Sequence, residues 1–247
     1  MLKAVIDTDI FREMIDVIAA MVNECRMHIS ANGFKMIAVD TANVAMVSLN
    51  LTTEAFSSFS ASDDVIGLDI TKMKNIIGLM GKGDELTLEL PDGAGKMEMS
   101  FGGYKYSISL LDVNTIRKDP NPPTIDLPGK VVMKGSELNN AIKGASLVSD
   151  KIALGIKPDA GTFYLEAEGD TDRINLELGS DQLESLTAAE ARSLFSLDYL
   201  REIGKVMNRA DQITISIGLD HPVKLSFDVA DGNGHVEYLL APRIEAD

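Results

Sequence analysis

One stretch of this sequence occurs twice, and the repeat decides how the chain divides. Leu68-Asp69-Ile70-Thr71-Lys72-Met73-Lys74-Asn75-Ile76-Ile77 leads into Gly83-Asp84-Glu85-Leu86-Thr87-Leu88-Glu89-Leu90. Half a chain length later, Leu197-Asp198-Tyr199-Leu200-Arg201-Glu202-Ile203-Gly204-Lys205-Val206 leads into Ala210-Asp211-Gln212-Ile213-Thr214-Ile215-Ser216-Ile217. Each copy reads as a helix opened by Asp, a polar turn and an alternating strand. Diverged tandem copies of one unit pack as pseudo-symmetric halves. In a chain of 247 residues the repeat therefore predicts two domains of ordinary size.

The rest of the pattern fits two similar halves. The first opens with a strand over 2–7, an N-cap at Thr8 or Asp9 and a helix over 10–22. Apolar Ile10, Met14, Val17, Ile18 and Met21 recur there at helical intervals. Period-two alternation then predicts strands over 26–30, 35–39, 44–51 and 65–68. A second helix over 71–80 ends at Gly81-Lys82-Gly83, and strands follow over 86–90, 96–101 and 104–110, with Pro91-Asp92-Gly93 and Gly102-Gly103 as turns. Residues 112–128 hold four of the eight prolines and read as an extended linker, since Pro removes donors and favours open backbone. Its Val113, Ile116, Ile125 and Leu127 are more apolar than a passive spacer needs.

The second half restarts the order: a strand over 130–134, a helix over 136–148 capped by Ser136, and strands over 152–156, 163–168 and 173–178. A last helix over 197–207 and strands over 212–218, 223–229 and 235–240 complete it, with Gly232-Asn233-Gly234 turning the final hairpin. The division is into 1–111, a connecting loop 112–128, and 129–247. The predicted class is α+β, with two helices on antiparallel sheets in each half and all four helices on one side.

Composition excludes several chemistries. Aromatic residues make up 5% with no Trp, so the cores are aliphatic, with twelve Met as gap fillers. No apolar run reaches the length of a membrane span, and residues 1–7 carry a Lys but open no apolar stretch long enough for a signal peptide. A lone Cys25 forms no internal disulfide, so the chain is expected to be intracellular, and Asn50-Leu51-Thr52 is then an idle glycosylation match. His28, His221 and His235 are scattered, with no metal-ligand spacing. Gly78-Leu79-Met80-Gly81-Lys82-Gly83 follows a helix and lacks the phosphate-loop order, so it reads as a helix end. Asp63-Asp64 and the Asp170/Asp172 pair read as solvated loop carboxylates. No cofactor, metal or catalytic constellation is expected, and an α+β small-molecule enzyme would need a polar cavity the sequence does not advertise.

The net charge is −15, which on average repels nucleic acid. Yet basic residues fall on or beside all four helices: Arg12; Lys72, Lys74 and Lys82; Lys143; and Arg201, Lys205 and Arg209, spaced every four positions on one helical face. Helix surfaces ordinarily carry Lys and Arg, and Glu13, Asp16, Glu137 and Glu202 share the same helices.

The chain resembles the sliding clamps of the proliferating cell nuclear antigen family, most closely the archaeal members, over its whole length. The resemblance rests on Ala38-Val39-Asp40-Thr41-Ala42-Asn43-Val44-Ala45-Met46-Val47, Val65-Ile66-Gly67-Leu68-Asp69, Leu110-Leu111-Asp112 and Glu166-Ala167-Glu168-Gly169-Asp170-Thr171-Asp172. Leu194-Phe195-Ser196-Leu197-Asp198-Tyr199-Leu200 and the terminal Leu240-Ala241-Pro242-Arg243-Ile244-Glu245 add to it.

That resemblance implies a head-to-tail homotrimeric ring of two clamp domains per chain, closed by pairing a strand near 104–111 with one near 173–178. It implies a non-enzymatic role: encircling double-stranded DNA without sequence preference, as processivity factor and docking platform in replication and repair. The DNA-facing residues it implies are Arg12, Lys72, Lys74, Lys82, Lys143, Arg201, Lys205 and Arg209. Asn75, Gly78 and Asp198 stand where eukaryotic relatives carry basic residues. Implied partners are DNA polymerase, flap endonuclease, DNA ligase and the clamp loader. Each would insert a short peptide motif into a pocket formed by Val39, Asn43, Val44, Ile116, Pro222, Leu239, Ala241, Pro242 and Ile244. The implied location is cytoplasmic and nucleoid-associated. The alternative is one subunit of a heterotrimeric or damage-signalling clamp.

Overall fold

The computed structural model describes residues 1–244. The chain divides into two compact units, Met1–Asn121 with Asp228–Val236, and Pro122–Phe227 with Glu237–Asp247.

The first unit runs β1 (Leu2–Asp7), α1 (Thr8–Ala19), β2 (Glu24–Ser30), β3 (Gly33–Val39), β4 (Ala45–Thr52), β5 (Phe56–Ala61) and β6 (Asp64–Asp69), then α2 (Ile70–Ile77), β7 (Glu85–Leu90), β8 (Lys96–Phe101) and β9 (Tyr104–Ser109). Its strands form one antiparallel sheet in the order β5-β1-β7-β8-β9 and a second run in the order β6-β2-β3-β4. In β1, Leu2, Ala4 and Ile6 are buried and alternate with more exposed residues, as expected of a sheet with one covered face. The α1 helix buries Phe11, Met14, Ile15 and Ile18 at helical spacing, and α2 buries Ile70, Met73, Ile76 and Ile77. Each such side chain contributes about 1.5–3 kcal/mol on leaving water.

The second unit repeats the plan with β10 (Gly129–Met133), α3 (Gly135–Ala145), β11 (Lys151–Lys157), β12 (Thr162–Glu168), β13 (Arg173–Gly179), β14 (Ser185–Thr187) and β15 (Ala191–Ser196). It closes with α4 (Leu197–Met207), β16 (Ile213–Ile217), β17 (Val223–Val229) and β18 (Gly234–Leu240). Here the runs are β13-β12-β11-β15 and β14-β10-β16-β17. Within each unit the two helices pack on each other, α1 on α2 and α3 on α4.

Three strands lie outside those predicted from the alternation. β5 is Phe-Ser-Ser-Phe-Ser-Ala, a run with only Phe56 buried among its larger residues, and it exists because β1 supplies its backbone partners. β14 is three residues held by β10, and β15 lies against β11. The helix starts also move. Asp7 caps α1 by accepting from the Asp9 backbone N–H at 2.6 Å, so neither Thr8 nor Asp9 is the cap. Thr8 is buried instead, its hydroxyl donating to the Gly81 carbonyl at 2.8 Å. Ser136 sits inside α3 rather than at its N-cap, which is Lys134. Asp69 does open α2, accepting from Lys72 N–H at 2.8 Å, but its repeat counterpart Asp198 lies one residue inside α4 and pairs with Arg201. The α2 helix stops at Ile77 rather than at Met80, with Gly78 as the C-cap, so Gly81-Lys82-Gly83 is a loop beyond its end.

Candidate interaction surfaces

The four helices together carry six basic residues (Arg12, Lys72, Lys74, Lys143, Arg201, Lys205) and six acidic ones (Asp9, Glu13, Asp16, Glu137, Asp198, Glu202). Against a chain net charge of −15 the four helices are therefore neutral in sum, a balance that repels a polyanion less than the chain average does. The cations differ in how free they are. Lys72, Lys82, Lys143 and Arg209 are exposed. Lys74 stands 3.9 Å from Asp16, Lys205 pairs with Glu202 at 2.6 Å, and Arg201 pairs with Asp198. The Lys205–Glu202 and Arg201–Asp198 pairs are exposed and one helical turn apart, whereas Lys74–Asp16 reaches from α2 to α1; such pairs are worth little and readily exchanged for another anion. Arg209 lies past the end of α4, whose C-cap is Asn208.

Arg12 is another matter. Its guanidinium donates to the Ile77 carbonyl at 3.2 Å and the Met80 carbonyl at 3.0 Å, and also to Asp9 at 2.9 Å. It thus satisfies carbonyls at and just past the C-terminus of α2, where a cation is electrostatically favoured. The sequence grouped Arg12 with the surface cations, but its geometry gives it a structural use between two helices.

The linker is not loose at its start. Leu111 bridges to Gly67 of β6, and the Ile116 side chain is 4% exposed, lying over Gly67 so closely that a Cβ there would meet its Cδ1 at 2.5 Å. Arg26 of β2 donates to the carbonyls of Val113 at 2.6 Å and Ile116 at 3.3 Å. His28 of β2 meets Asp119 at 2.5 Å. Arg117 donates to the Asp40 carbonyl at 2.7 Å and to the Asn43 side-chain oxygen. Of the candidate pocket residues, Ile116 is thus buried, whereas Val39 and Val44 are half-buried and Asn43 is exposed.

The turn carrying Asn43 is built around Asp40. Its carboxylate, in a residue 6% exposed, accepts from the backbone N–H groups of Ala42 (3.1 Å), Val44 (2.7 Å) and Ala45 (2.8 Å). Asn43 adopts a φ of 58°, a left-handed conformation that Asn tolerates better than most residues. The anchoring roles of Arg26, His28, Asp40 and Arg117 were not evident from the sequence. The partners of Arg26, His28 and Arg117 lie 74 to 91 residues away, so no local spacing signals them, whereas the Asp40 carboxylate acts within its own turn.

In the second unit Pro222, Leu239, Ala241 and Pro242 are half-buried and Ile244 is 92% exposed. The tail is held to β15, where the Arg243 N–H donates to the Leu194 carbonyl at 2.7 Å. The Arg243 side chain donates to Asp150 at 2.7 Å and holds that carboxyl below its ordinary range. Glu245 lies outside the described residues.

Two sheet-end strands carry partly exposed rims. β9 has Tyr104 (55% exposed) and Tyr106, which stack around Phe101. β13 has half-buried Ile174, Leu176 and Leu178 lining a groove of about 470 Å³ beside α3, with Ala141 and Ala145 opposite. Cys25 is buried, and burial first, then Asp119 and Glu24, push its thiol up to about 12, so it is not a nucleophile. Among the described residues no group of His, Cys, Asp and Glu could hold a metal ion, and no helix is long and apolar enough to cross a membrane.

A duplicated α+β unit with two paired helices per copy and strands paired on one side only at the sheet ends fits a clamp-like class. Residues 1–117 match the model of the proliferating cell nuclear antigen N-terminal domain, and residues 122–243 that of its C-terminal domain. The chain belongs to the proliferating cell nuclear antigen family. It is 67% identical to the DNA polymerase sliding clamp of Methanoculleus marisnigri and 62% identical to that of Methanoregula boonei, covering all of each chain. Among solved structures it resembles the A. fulgidus protein of this family bound to the C-terminal region of FEN-1, with a TM-score of 0.94, 34% identity and full coverage of both chains. It also resembles that of Thermococcus kodakaraensis, with a TM-score of 0.89 and 27% identity over 98% of this chain and all of the other.

Proposed function

We propose that this chain is a DNA sliding clamp, a non-catalytic processivity factor that three copies build by closing head to tail around duplex DNA. The full-length likeness to chains named DNA polymerase sliding clamp carries this reading. The edges β9 and β13 support it. Pairing one copy's β9 with the next copy's β13 satisfies both rows of backbone groups and covers the groove beside Ile174 and Leu176. In such a ring the domains are 1–111 and 129–247, joined by 112–128, and its place is the cytoplasm beside the nucleoid.

The DNA-facing cations are Lys72, Lys74, Lys82, Lys143, Arg201, Lys205 and Arg209, with Arg12 behind them as a helix brace. A ring needs no tight contact, since topology retains it while cations follow the phosphates without base readout. Polymerase, flap endonuclease, ligase and loader dock through short peptides on Val39, Asn43, Val44, Pro222, Leu239, Ala241, Pro242 and Ile244, with Ile116 supporting the linker from beneath. The relative solved with the FEN-1 C-terminal region supports that docking.

Native mass measurement tests the ring. The expected species is three times the 26.7 kDa chain, and it stays on closed circular duplex but slides off once the circle is cut. A lone 26.7 kDa species at micromolar concentration and physiological salt overturns the homotrimer. Trimers formed only with a second clamp chain assign the chain to a heteromeric ring. Within an intact ring, Lys143→Glu with Lys205→Glu shortens the lifetime on circular DNA, most strongly at low salt. An unchanged lifetime removes these helices from the DNA path.

A further inference from the structure

The Asp40–Ala45 turn and the linker are joined by one side chain, Arg117, and the way it joins them fixes the chemistry that Asn43 offers to solvent. The Asp40 carboxylate consumes three backbone N–H groups of the turn, and the Asp40 carbonyl accepts from both Asn43 N–H at 3.1 Å and Arg117 at 2.7 Å. The other arm of the Arg117 fork meets the Asn43 amide group. A guanidinium has donors only, so it selects the amide oxygen and leaves the Asn43 NH2 as the outward end. Asn43 and Arg117 are both exposed, so neither is a core contact. The residue before Arg117 is immobilised by burial of Ile116 and by Arg26 on its carbonyl, so the fork springs from a fixed base.

We propose that Arg117 is a positioning residue for partner docking, and that the Asn43 NH2 it orients donates to a carbonyl oxygen of the docked peptide. The proposal deepens the peptide-docking reading above and rests on it. An Asn held by its oxygen in a left-handed turn is a preorganised donor, and ordering it in advance removes a cost that a free side chain would bear on binding. Its specificity is for an acceptor, either a backbone carbonyl of an extended peptide or a side-chain amide oxygen. It disfavours a donor or a cation in the same place.

The intact ring and a synthetic peptide from the C-terminal region of an archaeal FEN-1 provide the test, with affinities from calorimetry. Arg117→Ala is expected to weaken the peptide about 10-fold by freeing Asn43 to rotate. Arg117→Lys restores part of the loss, because one ammonium reaches one acceptor without the fork. Asn43→Asp is the sharper variant. It keeps and strengthens the link to Arg117 and tolerates the same backbone conformation, yet it replaces the outward donor with an acceptor, so about a 10-fold loss is expected. Val44→Glu serves as the reference for docking itself. Parental affinity in Arg117→Ala or Asn43→Asp, with Val44→Glu still disrupting binding, overturns the proposal and leaves the docking surface standing. Parental affinity in Val44→Glu as well overturns the docking reading together with the proposal.

Discussion

The two units build the same junction between paired helices in different ways. The first residues of α1 and α3 are Thr8 and Gly135, and each donates its backbone N–H to the loop after the partner helix, Thr8 to Asp84 and Gly135 to Ala210. Thr8 fits with its hydroxyl on Gly81, but at Gly135 a Cβ would lie 1.9 Å from the Met207 carbonyl oxygen. The fifth residues are Arg12 and Asn139. Arg12 spans outward to the Ile77 and Met80 carbonyls, whereas Asn139, 3% exposed, bonds Asn208 at 2.9 Å and lies against Gly204. Unit 2 brings its helices together with glycine and a short buried amide, and unit 1 spaces them with a long cation. One fold thus tolerates either a tight polar contact or a bridged one, provided that the carbonyls and amides at the junction find partners.

Exchanging residues between the units breaks this equivalence, most severely at the closest approach. Gly135→Thr, the residue that serves unit 1, drives a side chain into the Met207 backbone, and we expect about 3 kcal/mol of destabilisation in chemical unfolding. The reciprocal Thr8→Gly loses one hydrogen bond and some helix propensity, about 1–2 kcal/mol. Equal effects at the two positions refute the claim that unit 2 is packed more closely there.

At the fifth positions the difference is one of burial. Asn139→Leu gives up the bond to Asn208 and sets a side chain too broad for the space against Gly204, and is expected to cost about 2–3 kcal/mol. Arg12→Met keeps the apolar stem and gives up bonds at a half-exposed site, so about 1 kcal/mol is expected after solvent screening. Arg12→Met should also leave retention on circular DNA nearly unchanged, unlike the Lys143 and Lys205 reversal. A comparable loss of retention would return Arg12 to the DNA path.

Arg12 also marks the boundary of what the sequence made legible. The repeat, the helices, most strands and the extended linker follow from periodicity, glycine and proline, because those signals are local. The α4 helix begins and ends where the pattern places it, at Leu197 and Met207. What the sequence could not supply were facts created by contact at a distance. β5, Phe-Ser-Ser-Phe-Ser-Ala, has no period-two alternation and is held as a strand by β1 beside it. Ile116 reads as an apolar linker residue free to line a groove, yet Gly67 leaves a hollow that buries it. Arg12 reads as a surface cation on a helix, and only the position of the α2 C-terminus turns it inward. In each case the residue type was read correctly and its partner was unknown.

The smallest expected difference between the units concerns their cores. The second residue of β2 is Cys25 and that of β11 is Ile152, both almost fully buried, so the thiol acts as a small apolar side chain at a place where the other unit uses a branched one. Cys25→Ala leaves a modest cavity, about 1 kcal/mol at neutral pH. The thiol still adds a pH dependence that Ile152 cannot have. Its folded pKa lies at about 12 against an ordinary 9.0, so the folded state keeps the proton that the unfolded chain releases. The stability this provides is complete below pH 9 and declines as pH rises from there toward 12. Other groups titrate in the same range, so the readout is a difference. From pH 8 to pH 10.5 the parent should lose more unfolding free energy than Cys25→Ala, and the gap of about 1 kcal/mol at neutral pH should narrow or reverse. Parallel curves would show that the thiol ionises alike in both states.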